Sequence, residues 1–105
     1  MEQVNVGVIQ FRIEDHKKAN LEKVEYWVNL AAKNGAEMVV LPEMFVCPYD
    51  LSYFPRFAER FPQGEALRLL SGLAKEHGIY LVGGSLPEEF DGKLYNSSFT
   101  FDPQG

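Results

Sequence analysis

The sequence predicts an α/β fold with the element order β-α-β-loop-α-β-β and a mixed four-stranded sheet. Three observations carry this: two short apolar runs flank a long amphipathic helix pattern, a second helix pattern leads into a third apolar run, and apolar and polar residues alternate near the end of the chain. The 105 residues are 46% hydrophobic and 24% charged, which suits one globular domain able to bury a modest core.

Residues 4–11, VNVGVIQF, are rich in β-branched and aromatic side chains, and the near-continuous apolar stretch 6–9 predicts a strand covered on both faces. Asp15 is a candidate cap for the helix that follows through HKKANLEKVEYWVNLAAKN. There Leu21, Val24, Val28 and Ala31 recur at helical spacing, while Lys17, Lys18, Glu22, Lys23 and Glu25 take the other face. Gly35 stops this helix. A second strand over 37–41 follows at once, so the opening is a β-α-β unit whose right-handed crossover makes the strands parallel.

Pro42 cannot donate to a sheet ladder and biases Leu41 toward extended geometry, so the second strand ends there and Glu43 stands at its carboxyl end. Ligand crevices of open α/β sheets form at that edge, which makes Glu43 a candidate general base. A solvated loop carboxylate is the other reading of the same position. Residues 44–63 then form a long irregular passage with three prolines and six aromatics, in which PRFAERF is expected to hold a helical turn. Its aromatics either shape a pocket wall or pack the loop onto the core. Tyr49 lies just beyond Glu43, and its phenol can donate a hydrogen bond to a substrate carboxylate or carbonyl. It is therefore the candidate substrate-binding residue, with core packing as the alternative.

Residues 64–77 predict a second helix, with Leu67, Leu70 and Ala74 on one stripe, Leu69 and Leu73 beside it, and Gly78 as its stop. Residues 79–82 are a third, buried strand. Gly83-Gly84 permits a bend or a close backbone approach, but GGSLPEEF is not a G-x-G-x-x-G fingerprint, so no nucleotide site is expected. Asp91-Gly92 marks a turn, and the alternation of Tyr95, Phe99 and Phe101 with polar residues predicts that 94–101 pairs antiparallel with the third strand. Glu88, Glu89 and Lys93 are assigned to the exposed turn, and Lys75 to an exposed helix face.

The net charge of -5, from 15 acidic and 10 basic residues, argues against nucleic acid and anionic membranes as partners. A basic leader region is missing from the first residues and every apolar run is short, so a cytoplasmic location is the expectation. The lone Cys47 rules out an internal disulfide, and with His16 and His77 it has no metal-ligand spacing; neither metal nor cofactor is expected. Both histidines suit helix ends. Cys47 has no framing His or Lys and reads as a small buried hydrophobe, whose replacement by Ser is expected to leave fold and activity nearly intact.

Taken together, the early V-x-V-x-x-I-Q strand, Asn20-Leu21, GAEMVVLPE at 35–43, L-P-E-x-F-x-x-P-Y, Tyr53-Phe54-Pro55, GGSLPE at 83–88 and GKLYN at 92–96 resemble the nitrilase superfamily, the carbon-nitrogen hydrolases. The omega-amidase branch is the most similar. The resemblance implies a partial α-β-β-α sandwich and amide hydrolysis by a Glu-Lys-Cys set, in which a thiolate attacks the amide carbon, a glutamate moves protons and a lysine stabilises the oxyanion. Glu43 matches that glutamate. The family's lysine follows the D-P-x-G turn, here 102–105, and its cysteine lies further on. Residues 1–105 are accordingly expected to be an incomplete, N-terminal part of a hydrolase domain, inactive by itself and without a cofactor. The implied substrates are small dicarboxylic acid monoamides such as 2-oxoglutaramate, and a homo-oligomer or a complementing chain is the expected partner. The alternative is a non-catalytic half-domain acting through self-association or a partner chain, as suggested by an unpaired sheet edge.

Overall fold

The computed structural model describes residues 3–105. Its elements are β1 (Val6–Val8), α1 (Lys17–Lys33), β2 (Met38–Val40), α2 (Phe54–Phe57), α3 (Glu65–His77), β3 (Tyr80–Val82), β4 (Leu86–Phe90), β5 (Lys93–Ser97) and β6 (Thr100–Phe101). The main sheet has the order β1-β2-β3-β6, with β1, β2 and β3 parallel and β6 antiparallel to β3, the mixed four-stranded sheet expected from the sequence.

The strand register decides which side chains reach the core. Gly7, Val39 and Leu81 lie in one row, and Val39 and Leu81 are fully buried. Against this face pack Leu21, Val24 and Val28 of α1 and Leu67, Leu70, Leu73 and Ala74 of α3. Each large aliphatic side chain so buried stabilises the fold by about 1.5–3 kcal/mol relative to exposure. The neighbouring rows, which begin at Val6 and Val8, point to the opposite face. There Val6 is 47%, Val8 76% and Tyr80 48% exposed. Strand one is thus not covered on both faces as expected, because both long helices sit on the same side of the sheet.

Two local expectations are corrected. His16, not Asp15, caps α1: its backbone is extended (ψ 111°) and its Nδ1 accepts the Ala19 N–H at 3.3 Å. Nor does 94–101 pair as a unit with the third strand. Asp91 and Gly92 both have positive φ (53° and 75°), the geometry of a tight hairpin turn. They close β4 onto β5, with Pro87 opposite Asn96 and Phe90 opposite Lys93, leaving only Thr100 and Phe101 for β3. Glu88, Glu89 and Lys93 consequently lie on strands, not in a turn. Glu88 accepts the Ser97 hydroxyl at 2.6 Å, and Glu89 receives Arg60 through both oxygens at 2.8 and 2.9 Å.

The irregular passage is organised by Glu59, which is 5% exposed. The Gly64 cap of α3 has no side chain to satisfy the free amides of the first turn. The Glu59 carboxylate does so from outside, accepting Ala66 N–H at 2.8 Å and Leu67 N–H at 3.2 Å, and it pairs with Lys17 Nζ at 2.8 Å. Its backbone also bonds to β4, from Glu59 N–H to Pro87 O and from Glu89 N–H to Glu59 O, both 2.9 Å. One residue therefore ties α1, α3 and the β4–β5 hairpin together.

Candidate active site

Glu43 is placed by a stop and a clamp. The Leu41 N–H still donates to Val82 O at 3.0 Å, and Pro42, which has no N–H, then ends the ladder. The chain turns at Met44, whose φ of 53° is costly for a non-glycine residue unless its surroundings hold it. Ser85 supplies that hold. Its hydroxyl accepts the Met44 N–H at 2.9 Å and its carbonyl the Phe45 N–H at 3.2 Å.

Gly84 permits the approach: it has φ 51°, and a Cβ there would overlap the Pro42 carbonyl oxygen and stand 2.8 Å from that of Leu41. Further along the loop, the buried Asn20 of α1 donates to Val46 O at 2.9 Å and to Glu14 O at 2.8 Å, and accepts Glu14 N–H at 2.7 Å. The run from Met44 to Cys47 is therefore buried, whereas Glu43 stays exposed.

The Glu43 carboxylate accepts a hydrogen bond at Oε2 from Asn96 Nδ2 at 3.0 Å. Asn96 also lines a cavity of about 200 Å³ with Met44, Tyr49, Phe54, Pro87 and Tyr95. Tyr49 is 66% exposed, so it is not a core residue, and its ring meets Phe54 edge-on with centroids 5.7 Å apart. The two sequence candidates, Glu43 and Tyr49, thus border one region, connected through Asn96. The combination of an exposed carboxylate, a phenol, a carboxamide and an apolar wall can seat a small polar molecule and exchange a proton with it. A larger cleft of about 410 Å³ lies between Phe61 and Phe90. Of its charged lining residues Arg60, Glu89 and Asp91, the first two are occupied with each other, and the Arg60 hydrogen bonds hold the Glu89 carboxyl below the usual carboxylate range.

Cys47 is fully buried, and burial pushes its thiol up to about 11, with Lys17 opposing weakly. A thiol held in this way is not a thiolate at neutral pH, which agrees with the reading of Cys47 as a core residue. Burial also revises the expectation for Ser at this position, since a hydroxyl would be left in the core. Lys75 and Lys93 are exposed, His16 is the helix cap, and the His77 Nε2–H bonds Asn29 Oδ1 to tie α3 to α1. Among the described residues no group of three or more His, Cys, Asp or Glu could hold a metal ion, and no helix is long and apolar enough to cross a membrane.

Four residues that shape this site carried no role in the sequence reading: Asn20, Glu59, Ser85 and Asn96. Asn20 left a signal, because it falls on the same helical stripe as Val24 and Val28, where a polar side chain must find buried partners. Ser85 and Asn96 fall inside the GGSLPE and GKLYN motifs, but their partners are 41 and 53 positions away, so the motifs alone gave neither of them a role.

The carbon-nitrogen hydrolase family profile matches residues 5–105. Over its whole length the chain is 47% identical to omega-amidase NIT2-B of Xenopus laevis and 45% identical to omega-amidase NIT2 of Homo sapiens, in each case spanning 38% of the relative's length. Among solved structures it is similar to Saccharomyces cerevisiae Nit3, a member of branch 10 of the nitrilase superfamily, with a TM-score of 0.89 and 32% identity, covering 97% of this chain and 41% of that one. The chain spans about two fifths of the length of the relatives it matches.

Proposed function

The chain belongs to the carbon-nitrogen hydrolase family, and from that premise we propose that it supplies the proton-transfer half of an omega-amidase-like enzyme. The reaction is hydrolysis of the terminal amide of a small dicarboxylic acid monoamide such as 2-oxoglutaramate, giving the dicarboxylate and ammonia. The observation that carries the proposal is the placement of Glu43: an exposed carboxylate at the carboxyl end of β2, on a turn clamped by Ser85 and beside a cavity. Identities of 45–47% to omega-amidases over all 105 residues support the substrate class.

In this proposal Glu43 takes the proton from a cysteine thiol as the sulfur attacks the amide carbon, and returns it to the departing nitrogen as ammonia leaves. It then removes a proton from the water that cleaves the thioester. A lysine holds the oxyanion of each tetrahedral intermediate. Both the lysine and the cysteine are contributed by polypeptide outside residues 1–105, so the 105-residue chain by itself does not turn over substrate. Tyr49 is the proposed substrate-binding residue, its phenol donating to the far carboxylate or the carbonyl from the cavity wall. Homo-oligomerisation, or association with a complementing chain, belongs to the same proposal; its support is the open sheet face with Val6, Val8 and Tyr80 exposed.

The test is Glu43→Gln in the full-length enzyme, assayed with 2-oxoglutaramate. Loss of proton transfer lowers kcat by about 10²–10⁴-fold with folding intact. Turnover at the wild-type rate would refute the assignment of Glu43 as the base.

A further inference from the structure

We infer that Asn96 is a positioning residue for Glu43, holding one carboxylate oxygen so that the other is presented to the reacting atoms. The inference rests on the reading of Glu43 as the base. Asn96 Nδ2 donates to Glu43 Oε2 at 3.0 Å, and among the described residues no protein group donates to Oε1. A carboxylate offers only lone pairs, so the carboxamide must present its nitrogen, and the contact fixes both the rotation of the carboxylate and which oxygen remains open. A neutral donor does this without forming an ion pair, which would compete with proton uptake.

The fold makes the contact dependable. Asn96 lies opposite Pro87 in the β4–β5 register, and β4 begins one residue after Ser85, whose hydroxyl and carbonyl hold the turn that carries Glu43. Carboxylate and carboxamide are thus fixed from one root, the clamp acting on the backbone and Asn96 on the side chain. Asn96 itself is exposed and makes no other side-chain hydrogen bond among the described residues, so its replacement does not remove core packing.

Asn96→Leu and Asn96→Asp in the full-length enzyme, assayed with 2-oxoglutaramate beside Glu43→Gln, test the inference. Leu removes the donor, and Asp keeps the shape of the side chain but replaces the donor with an acceptor. Misorientation of a catalytic group costs on the order of 10–100-fold in rate. The expected result is therefore a kcat lowered about 10–100-fold in both variants, more in Asp, with KM within about 3-fold of wild type and an unchanged thermal midpoint. A wild-type kcat in both Asn96 variants, with Glu43→Gln inactive, would overturn the role of Asn96 and leave the base assignment standing. A raised KM at unchanged kcat would overturn it in favour of direct substrate binding by Asn96. An active Glu43→Gln enzyme would remove the base assignment and this inference together.

Discussion

Gly84 and Pro42 are in such close contact that any side chain on Gly84 would collide with the Pro42 carbonyl oxygen, and Gly84 has φ 51° as well. The bend after β3 therefore lies directly on the turn that exposes Glu43, and two distant segments share one backbone surface. Gly84→Ala meets both the overlap and the left-handed conformation, and is expected to destabilise the protein by about 3 kcal/mol or more. Urea unfolding measures this; a midpoint equal to wild type would mean that the two segments separate without cost.

Ser85 should behave differently, because its contribution is a hydrogen bond and not space. Ser85→Ala leaves the buried Met44 N–H without its acceptor while the Phe45 N–H keeps the Ser85 carbonyl. The expected cost is about 1–3 kcal/mol. Amide exchange at Met44 provides the local reading, with faster exchange at that position and little change in α1.

Glu59 anchors the fold through a buried carboxylate. Its side chain is 2% exposed and satisfies two amides of α3 in addition to Lys17. Glu59→Ala strips the helix start of its acceptors and leaves Lys17 without a partner, which is expected to cost about 3–5 kcal/mol. Lys17 is 22% exposed and its ammonium can turn to solvent, so Lys17→Met should cost less than Glu59→Ala. Denaturation of the two single variants, with exchange at Ala66 and Leu67, separates these effects; equal losses would contradict the capping role.

The two long helices were legible because each is amphipathic over several turns: Val24 and Val28, and Leu67 and Leu70, are read directly as core positions and are buried. Glu43 was legible for a different reason, since Pro42 is a covalent stop that no tertiary contact can override. The hairpin was misread because alternation in 94–101 does not say which strand it faces. The Asp91-Gly92 turn offers a partner eleven residues away or fewer along β4, and that local closure takes precedence over the longer reach to β3. Asn96 and Ser85 were illegible as site residues because each acts across more than forty positions, through a contact that exists only once the sheet has formed. Glu59 was hidden in a proline-rich passage, although Gly64 at the start of α3 left amides needing an acceptor.

Cys47 offers a prediction in which stability and reactivity must agree. With the folded thiol pushed up to about 11 by burial, the unfolded chain, whose thiol titrates near the ordinary value of 9.0, releases its proton first as pH rises. The stability due to the neutral buried thiol is fully present below that unfolded value and is lost progressively as pH climbs toward 11, by roughly 2–3 kcal/mol in total. Cys47→Ser, which does not titrate in this range, should lose this part of the alkaline dependence. It should also be less stable at pH 7 by about 1–3 kcal/mol, because a hydroxyl is left in the core. Iodoacetamide at pH 8 should label the native protein at least about 100-fold more slowly than the urea-unfolded chain, since reaction requires both opening and ionisation. Rapid labelling of the folded protein would show that Cys47 is open to solvent, and would return it to consideration as a reactive group.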